Sequence, residues 1–291
     1  MEKHLKEGYN MTYYHSNYHG NEWIIDKVES HVGDATIHYP KDRIVGCFYQ
    51  GSGNYGLDYE GSDVDTKCII IPDIEDLVTM NRQSWCNVRH NDEHTDFKDV
   101  RLIFELFMKQ NVNFLEILFT PFCYINPLYR DLWEEVIALR DDIVNYARAS
   151  LLKSLKGIAG EKYHALEHRY PSRVEWLDKF GYDPKQLHHL IRIEEFIRRW
   201  LLGESFEKCL ISKMPNELID MKKGWADLET ARKYAKNSMT VIEALYKANY
   251  DKLVEEGSWT TCNFAETSSK LYNIATKMIE RYLRHKYSEE D

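Results

Sequence analysis

The chain has 291 residues, 43% apolar and 13% aromatic, enough to bury a sizeable core in one large domain or two modest ones. That aromatic content excludes a disordered chain, and 14 Gly with 7 Pro exclude a collagen-like or linker-rich one. With 47 acidic against 38 basic residues the net charge is −9, which argues against a non-specific nucleic-acid coat but leaves room for a local basic groove.

Residues 21–32 carry apolar positions at helical spacing. Residues 43–49 (RIVGCFY) and 65–71 (DTKCIII) are short, apolar and β-branched, and read as buried strands. A weaker pattern over 88–97 predicts a third strand, and 99–109 a helix with Leu102, Ile103, Leu106 and Phe107 on one face. The texture changes near residue 125. Segments 128–147, 149–168, 184–202 and 227–246 then repeat an i, i+3, i+4 rhythm, and a last helix is predicted over 263–287. Asp183 before Pro184 is a cap residue ahead of Pro at the first helical position. The pattern predicts an α+β chain: a small mixed-sheet domain over residues 1–125 and an all-helical domain over 126–291. There is no run of about 18 apolar residues and no signal-peptide core. The six cysteines, at 47, 68, 86, 123, 209 and 262, form no CxxC, so reduced thiols in a cytoplasmic protein are expected.

The chemistry concentrates between the first two strands, in GSGNYGLDYEGSDVD, residues 51–65. Gly51 and Gly53 let backbone N–H groups approach a phosphate, and Ser52 adds a hydroxyl. Asp63 and Asp65 flank Val64 at the head of a strand, where alternate residues share a face. Two neighbouring carboxylates repel unless a cation lies between them, and an oxygen-only ligand set suits Mg2+. Gly51, Gly53 and Gly56 also spell G-x-G-x-x-G, but a dinucleotide fold needs a long helix directly afterwards, and a strand follows instead. The bland alternative is a glycine-rich hairpin with solvated aspartates.

Gly51-Ser52, ten further residues and then Asp63-Val64-Asp65 resemble the signature of the DNA polymerase β nucleotidyltransferase superfamily. The wider run, with Tyr55-Gly56, Ser62 and the apolar strand ending at Pro72, resembles most its RNA-repair-pathway polymerase-β branch. Residues 111–118 are similar to a later stretch of that branch in Asn113 and Glu116, with Val112 where Pro is usual. Lys185, His189 and Arg192 resemble a Lys…His…Arg pattern in its helical half. The resemblance implies a polymerase-β-like domain that moves an NMP from an NTP to an acceptor hydroxyl, favouring an RNA 3′ end such as that of tRNA, and releases pyrophosphate. It implies two Mg2+ ions, replaceable by Mn2+, on Asp63, Asp65 and a third carboxylate. Asp96 is the leading candidate for that third position, ahead of Glu93 and Asp99, with Asp92 also available; Asp99 reads better as a helix N-cap. Gly51 and Ser52 would cradle the phosphates. Protein AMP transfer, a small-molecule acceptor and a non-catalytic nucleotide-binding protein are the alternatives.

Lys185, His189 and Arg192 fall at i, i+4 and i+7, on one helix face with Arg198 and Arg199 nearby. Such a face suits a triphosphate or RNA backbone, or is a solvated face paired with Glu194 and Glu195. His164 and His168 are also i, i+4, but without a third ligand they read as exposed or capping residues.

Overall fold

The computed structural model describes residues 22–58, 62–88, 93–256 and 262–288. In chain order these form α1 (Glu22–His38), β1 (Ile44–Gln50), a short 3-10 turn (Ser52–Tyr55), β2 (Asp65–Ile70), α2 (Ile74–Val78), β3 (Ser84–Val88), β4 (His94–Asp99), α3 (Val100–Met108), α4 (Val112–Leu115), β5 (Cys123–Ile125), α5 (Arg130–Ala138) and α6 (Arg140–Asn145). Helices α7 (Arg148–Ala165), α8 (Val174–Phe180), α9 (Pro184–Leu201), α10 (Phe206–Leu210), α11 (Pro215–Lys222), α12 (Leu228–Glu255) and α13 (Cys262–Ser288) complete the chain. A mixed sheet followed by helices is the α+β class that the sequence predicts. Among the described residues no helix is long and apolar enough to cross a membrane.

The sheet runs β3-β4-β2-β1-β5, with β2 and β4 parallel and every other pair antiparallel. Strand alternation gives it two unlike faces. Val28, Val32 and Ala35 of α1 share a core with Cys47 and Tyr49 of β1, Val64, Cys68 and Ile70 around β2, Phe97 of β4 and Tyr124 of β5. On the other face Phe48 packs against Trp133 of α5, ring centroids 4.6 Å apart, and α3 lies against β2 and β4. Asp99 caps α3 by accepting from the Arg101 N–H at 2.8 Å, as its place before the helix predicts.

Four details differ from the sequence pattern. The single strand over 88–97 is two, β3 and β4, paired antiparallel. Strand β5 is only three residues long, and its apolar CYI blends into its apolar surroundings. The helix over 128–147 stops at Leu139, whose N–H bonds back within α5, and restarts as α6. The buried side of α3 is Val100, Ile103, Phe104, Phe107 and Met108, rotated from the predicted stripe because Phe104 and Met108 turn inward while Leu102 and Leu106 are half-buried.

The chain divides into two compact units. One comprises Met1–Asn54, Gly61–Ile143 and Cys262–Asp291; the other comprises Tyr55–Glu60 and Val144–Thr261. Residues 126–143 and the last helix therefore group with the sheet rather than with the helices after residue 125. Within the first unit α13 packs on α3 and α5, and ties to α5 through Arg281–Asp131 and to the α2 cap through Lys286–Asp73, the latter 2.8 Å. Within the second unit α7, α9 and α12 pack mutually, and α11 lies on α9.

Candidate active site

The site is built by register. Gln50, the last residue of β1, stands opposite Asp65, the first of β2. The Gly51-Ser52 turn that follows Gln50 thus begins at the strand position facing Asp65. Val64 is fully buried in the core under α1, and alternation from it turns Asp65 toward the opposite side of the sheet, with Asp63 two residues before the strand begins. Asp63 is exposed and Asp65 half-buried. The head of β4 orients Asp65: the His94 N–H donates to Oδ1 at 2.8 Å, and His94 Nδ1 lies 3.2 Å from the same oxygen.

The turn is braced from beneath. The Tyr49 ring packs so closely that a Cβ on Gly51 would lie 2.5 Å from its hydroxyl, and one on Gly53 would lie 2.9 Å from Ile24 Cδ1. The Gly53 N–H donates to Tyr49 Oη at 2.9 Å. That N–H is engaged inside the protein, so of the two glycine amides predicted to meet a phosphate, Gly53 serves the turn. Asn54 Nδ2 donates to the Tyr49 carbonyl at 3.0 Å, and the Thr120 hydroxyl donates to Asn54 Oδ1 at 2.7 Å.

Asp96 shares the face of Asp65. In the parallel β2–β4 pair it stands opposite Lys67, two residues beyond Asp65. Its oxygens meet ammonium groups: Lys98 Nζ is 2.6 Å from Oδ1 and Lys67 Nζ 3.8 Å from Oδ2. Lys67 is 4% exposed, donates to Gln50 Oε1 at 2.5 Å and lies 4.2 Å from the centre of the Phe114 ring. Burial pulls its ammonium below the ordinary lysine range, while the carboxylates of Glu116 and Asp96 hold it up. The sequence reading passed over Lys67; a lysine amid the apolar strand DTKCII was the available signal. Glu93 is directed elsewhere. It lies 3.0 Å from Lys27 and 3.4 Å from His31, both on α1, and these partners hold its carboxyl below its usual range against the opposing effect of burial. Asp99 is consumed as the α3 cap and by Arg101. Asp92 lies outside the described residues.

Among the described residues no three His, Cys, Asp or Glu side chains gather closely enough to hold a metal ion. Asp63 and Asp65, two residues apart at the head of β2, offer the oxygen donors that Mg2+ prefers. Asp96, the third carboxylate expected beside them, has lysine ammonium groups facing both its oxygens, Lys98 in contact and Lys67 at 3.8 Å.

In the second unit, Lys185, His189 and Arg192 share the half-buried side of α9. Arg192 stacks its guanidinium 3.7 Å from the centre of the Tyr55 ring, and its Nε is buried without a hydrogen-bond partner. Burial, followed by the neighbouring His188, Arg192, Lys185 and Lys162, drives the His189 imidazole well below its usual range. His189 is therefore neutral and brings a hydrogen-bonding ring rather than a charge. Arg198 and Arg199 do not join the basic face. Arg198 pairs with Glu194 at 2.7 Å, and buried Arg199 binds Glu204 and the carbonyls of Lys208 and Ile211. His164 and His168 are exposed, as predicted.

Comparison with known proteins bears on the turn and its carboxylates. The model of the RNA repair pathway DNA polymerase beta family matches residues 24–176, more than half of the chain. The chain belongs to that family. It is a nucleotidyltransferase of the polymerase-β type, and the matched segment contains Gly51, Ser52, Asp63, Asp65 and Asp96 but ends before Lys185. No curated protein matches the chain. A solved structure titled as a nucleotidyltransferase-like protein from Exiguobacterium sibiricum 255-15 covers 88% of this chain and 91% of its own at 12% identity. Its TM-score is 0.30, too low to carry an argument, so the assignment rests on the family match.

Proposed function

We propose that the protein transfers an NMP from an NTP to an acceptor hydroxyl, the 3′ end of an RNA, and releases pyrophosphate. The observation that carries this reading is the pairing of Gln50 with Asp65, which sets the glycine-serine turn and the Asp63–Asp65 pair at one end of the β1–β2 ladder. In the reaction the acceptor oxygen bonds to the α-phosphorus, the bond from that phosphorus to the bridging oxygen breaks, and the hydroxyl proton is released. Ser52 and the Gly51 amide would contact the terminal phosphates. Asp63 and Asp65 would hold the divalent cation, Mg2+ or Mn2+ in its place. Such an ion supplies charge neutralisation on the phosphates and lowers the barrier to displacement. His94 keeps Asp65 oriented while it holds that charge.

Within the second unit Lys185, His189 and Arg192 would offer a phosphate-binding face, with Tyr55 holding the Arg192 guanidinium in place. The RNA acceptor is favoured by the family to which the chain belongs.

Incubation of the purified protein with α-labelled NTPs and Mg2+, alone and with total tRNA, tests the reading. Label is expected at RNA 3′ ends, and none is expected with Asp63→Asn. Label on the protein itself, with RNA left untouched, would replace the RNA acceptor by a protein hydroxyl. Bound NTP with no labelled product would make the protein a nucleotide-binding one.

A further inference from the structure

We propose that Lys67 and Lys98 stand at Asp96 in place of a second metal ion, so that the carboxylate face takes one divalent cation, at Asp63 and Asp65, where the polymerase-β pattern implies two. The inference rests on the function proposed above and concerns how its site is charged.

The argument begins with register. Because β2 and β4 run parallel with Lys67 opposite Asp96, the ammonium and the carboxylate lie at one level on one face of the sheet. Each Asp96 oxygen has its own cation, Lys98 on Oδ1 at 2.6 Å and Lys67 on Oδ2 at 3.8 Å. A magnesium ion bound to Oδ1 would sit about 2.1 Å from it, in the space the Lys98 ammonium takes, and an ion at either oxygen would be repelled by both ammonium groups.

The two lysines differ in how firmly they are held. Lys98 also donates to Ser84 Oγ at 2.9 Å, near the sheet edge. Lys67 has no comparable route outward. It is 4% exposed, its strand neighbours Thr66 and Cys68 are buried, and its ammonium is fixed by Gln50 Oε1 and the Phe114 ring beside buried Glu116. A side chain built into the core in this way stays at the site, whereas a metal ion comes and goes. Lys67 and Lys98 are positioning residues here: they hold Asp96, and Lys67 sets the field in which Asp65 works, two residues away on β2.

The test is a count of metal ions. Crystals of the full chain are soaked with MnCl2 and α,β-methylene ATP, and manganese is located by anomalous scattering. The wild type is expected to show one manganese, touching Asp63 and Asp65, and Asp96→Asn is expected to keep it. Lys98→Gln and Lys67→Gln, by freeing Asp96, are expected to admit a second ion, and the charge-conserving Lys67→Arg to keep one. Should Lys67→Gln fail to fold, Lys98→Gln, which changes a partly exposed side chain, carries the same prediction. Two ions in the wild type, one of them on Asp96, would overturn the inference and leave the nucleotidyl-transfer reading standing. No manganese at Asp63 and Asp65 in the wild type would overturn both.

Discussion

The two faces of the five-stranded sheet handle polar groups in opposite ways. Against α1, His31 is fully buried, with Nδ1 2.8 Å from Thr66 Oγ1 and 3.1 Å from Thr95 Oγ1 and Nε2 3.4 Å from Glu93, which Lys27 pairs in turn. Those groups exhaust one another inside the core. On the other face Asp65 stands at the strand head, two residues after Asp63, and His94 of the next strand braces it. The difference separates Glu93 from Asp96, three residues apart near one strand: charge and spacing are alike, but one side chain is spent on architecture and the other faces the site. A polar residue near a catalytic strand is informative only once its partners have been counted.

The sharpest way to break the comparison is to neutralise the outer carboxylates. Asp63→Asn and Asp65→Asn are each expected to lower nucleotidyl transfer by at least about 10³-fold while the thermal midpoint stays within about 4 °C. A large loss of stability in Asp63→Asn would place that carboxylate with the architectural ones.

The second unit offers a buried group to set beside these. Burial, with Arg192, Lys222 and Lys185 adding to it, pushes the His188 imidazole down to about 3. An unfolded His titrates near 6.5, so between these values the unfolded chain binds more protons than the folded one. The stability this residue contributes is complete above pH 6.5 and declines as pH falls, by up to about 1.4 kcal/mol per unit. Urea denaturation from pH 7 to 4.5 is expected to show a shallower slope in His188→Leu than in the wild type.

On the α1 side, Glu93→Gln is expected to cost about 1–2 kcal/mol of stability, by weakening its bonds to Lys27 and His31, with transfer changed less than about threefold. Equal loss of activity would mean that the two faces are coupled. The smallest effect is expected from Tyr49→Phe, which strips the hydroxyl from the Gly53 N–H, costs about 1 kcal/mol and raises KM for NTP more than it lowers kcat.

Much of the first unit was legible because its strands are short apolar runs bounded by turn residues. β1 and β2 begin and end within one residue of the predicted limits. Asp99 and Asp183 cap helices where their positions before apolar rhythms predict it. What stayed hidden depends on contacts distant in sequence. No local pattern tells that Tyr49 claims the Gly53 amide, that Glu93 turns toward α1, or that Arg199 is enclosed by the Lys208 and Ile211 carbonyls. Lys67 was hidden for a related reason: a lysine in an apolar strand is read as an interruption until the parallel register sets Asp96 opposite it.

The final helix, α13, belongs with the sheet, although α7 to α12 separate it from α6. The second unit is thus an insertion inside the first. During synthesis on the ribosome the inserted helices emerge complete while the sheet still lacks its last packing partner. The half-built sheet unit must wait, with the α3 and α5 surfaces uncovered, until residues 262–288 leave the exit tunnel.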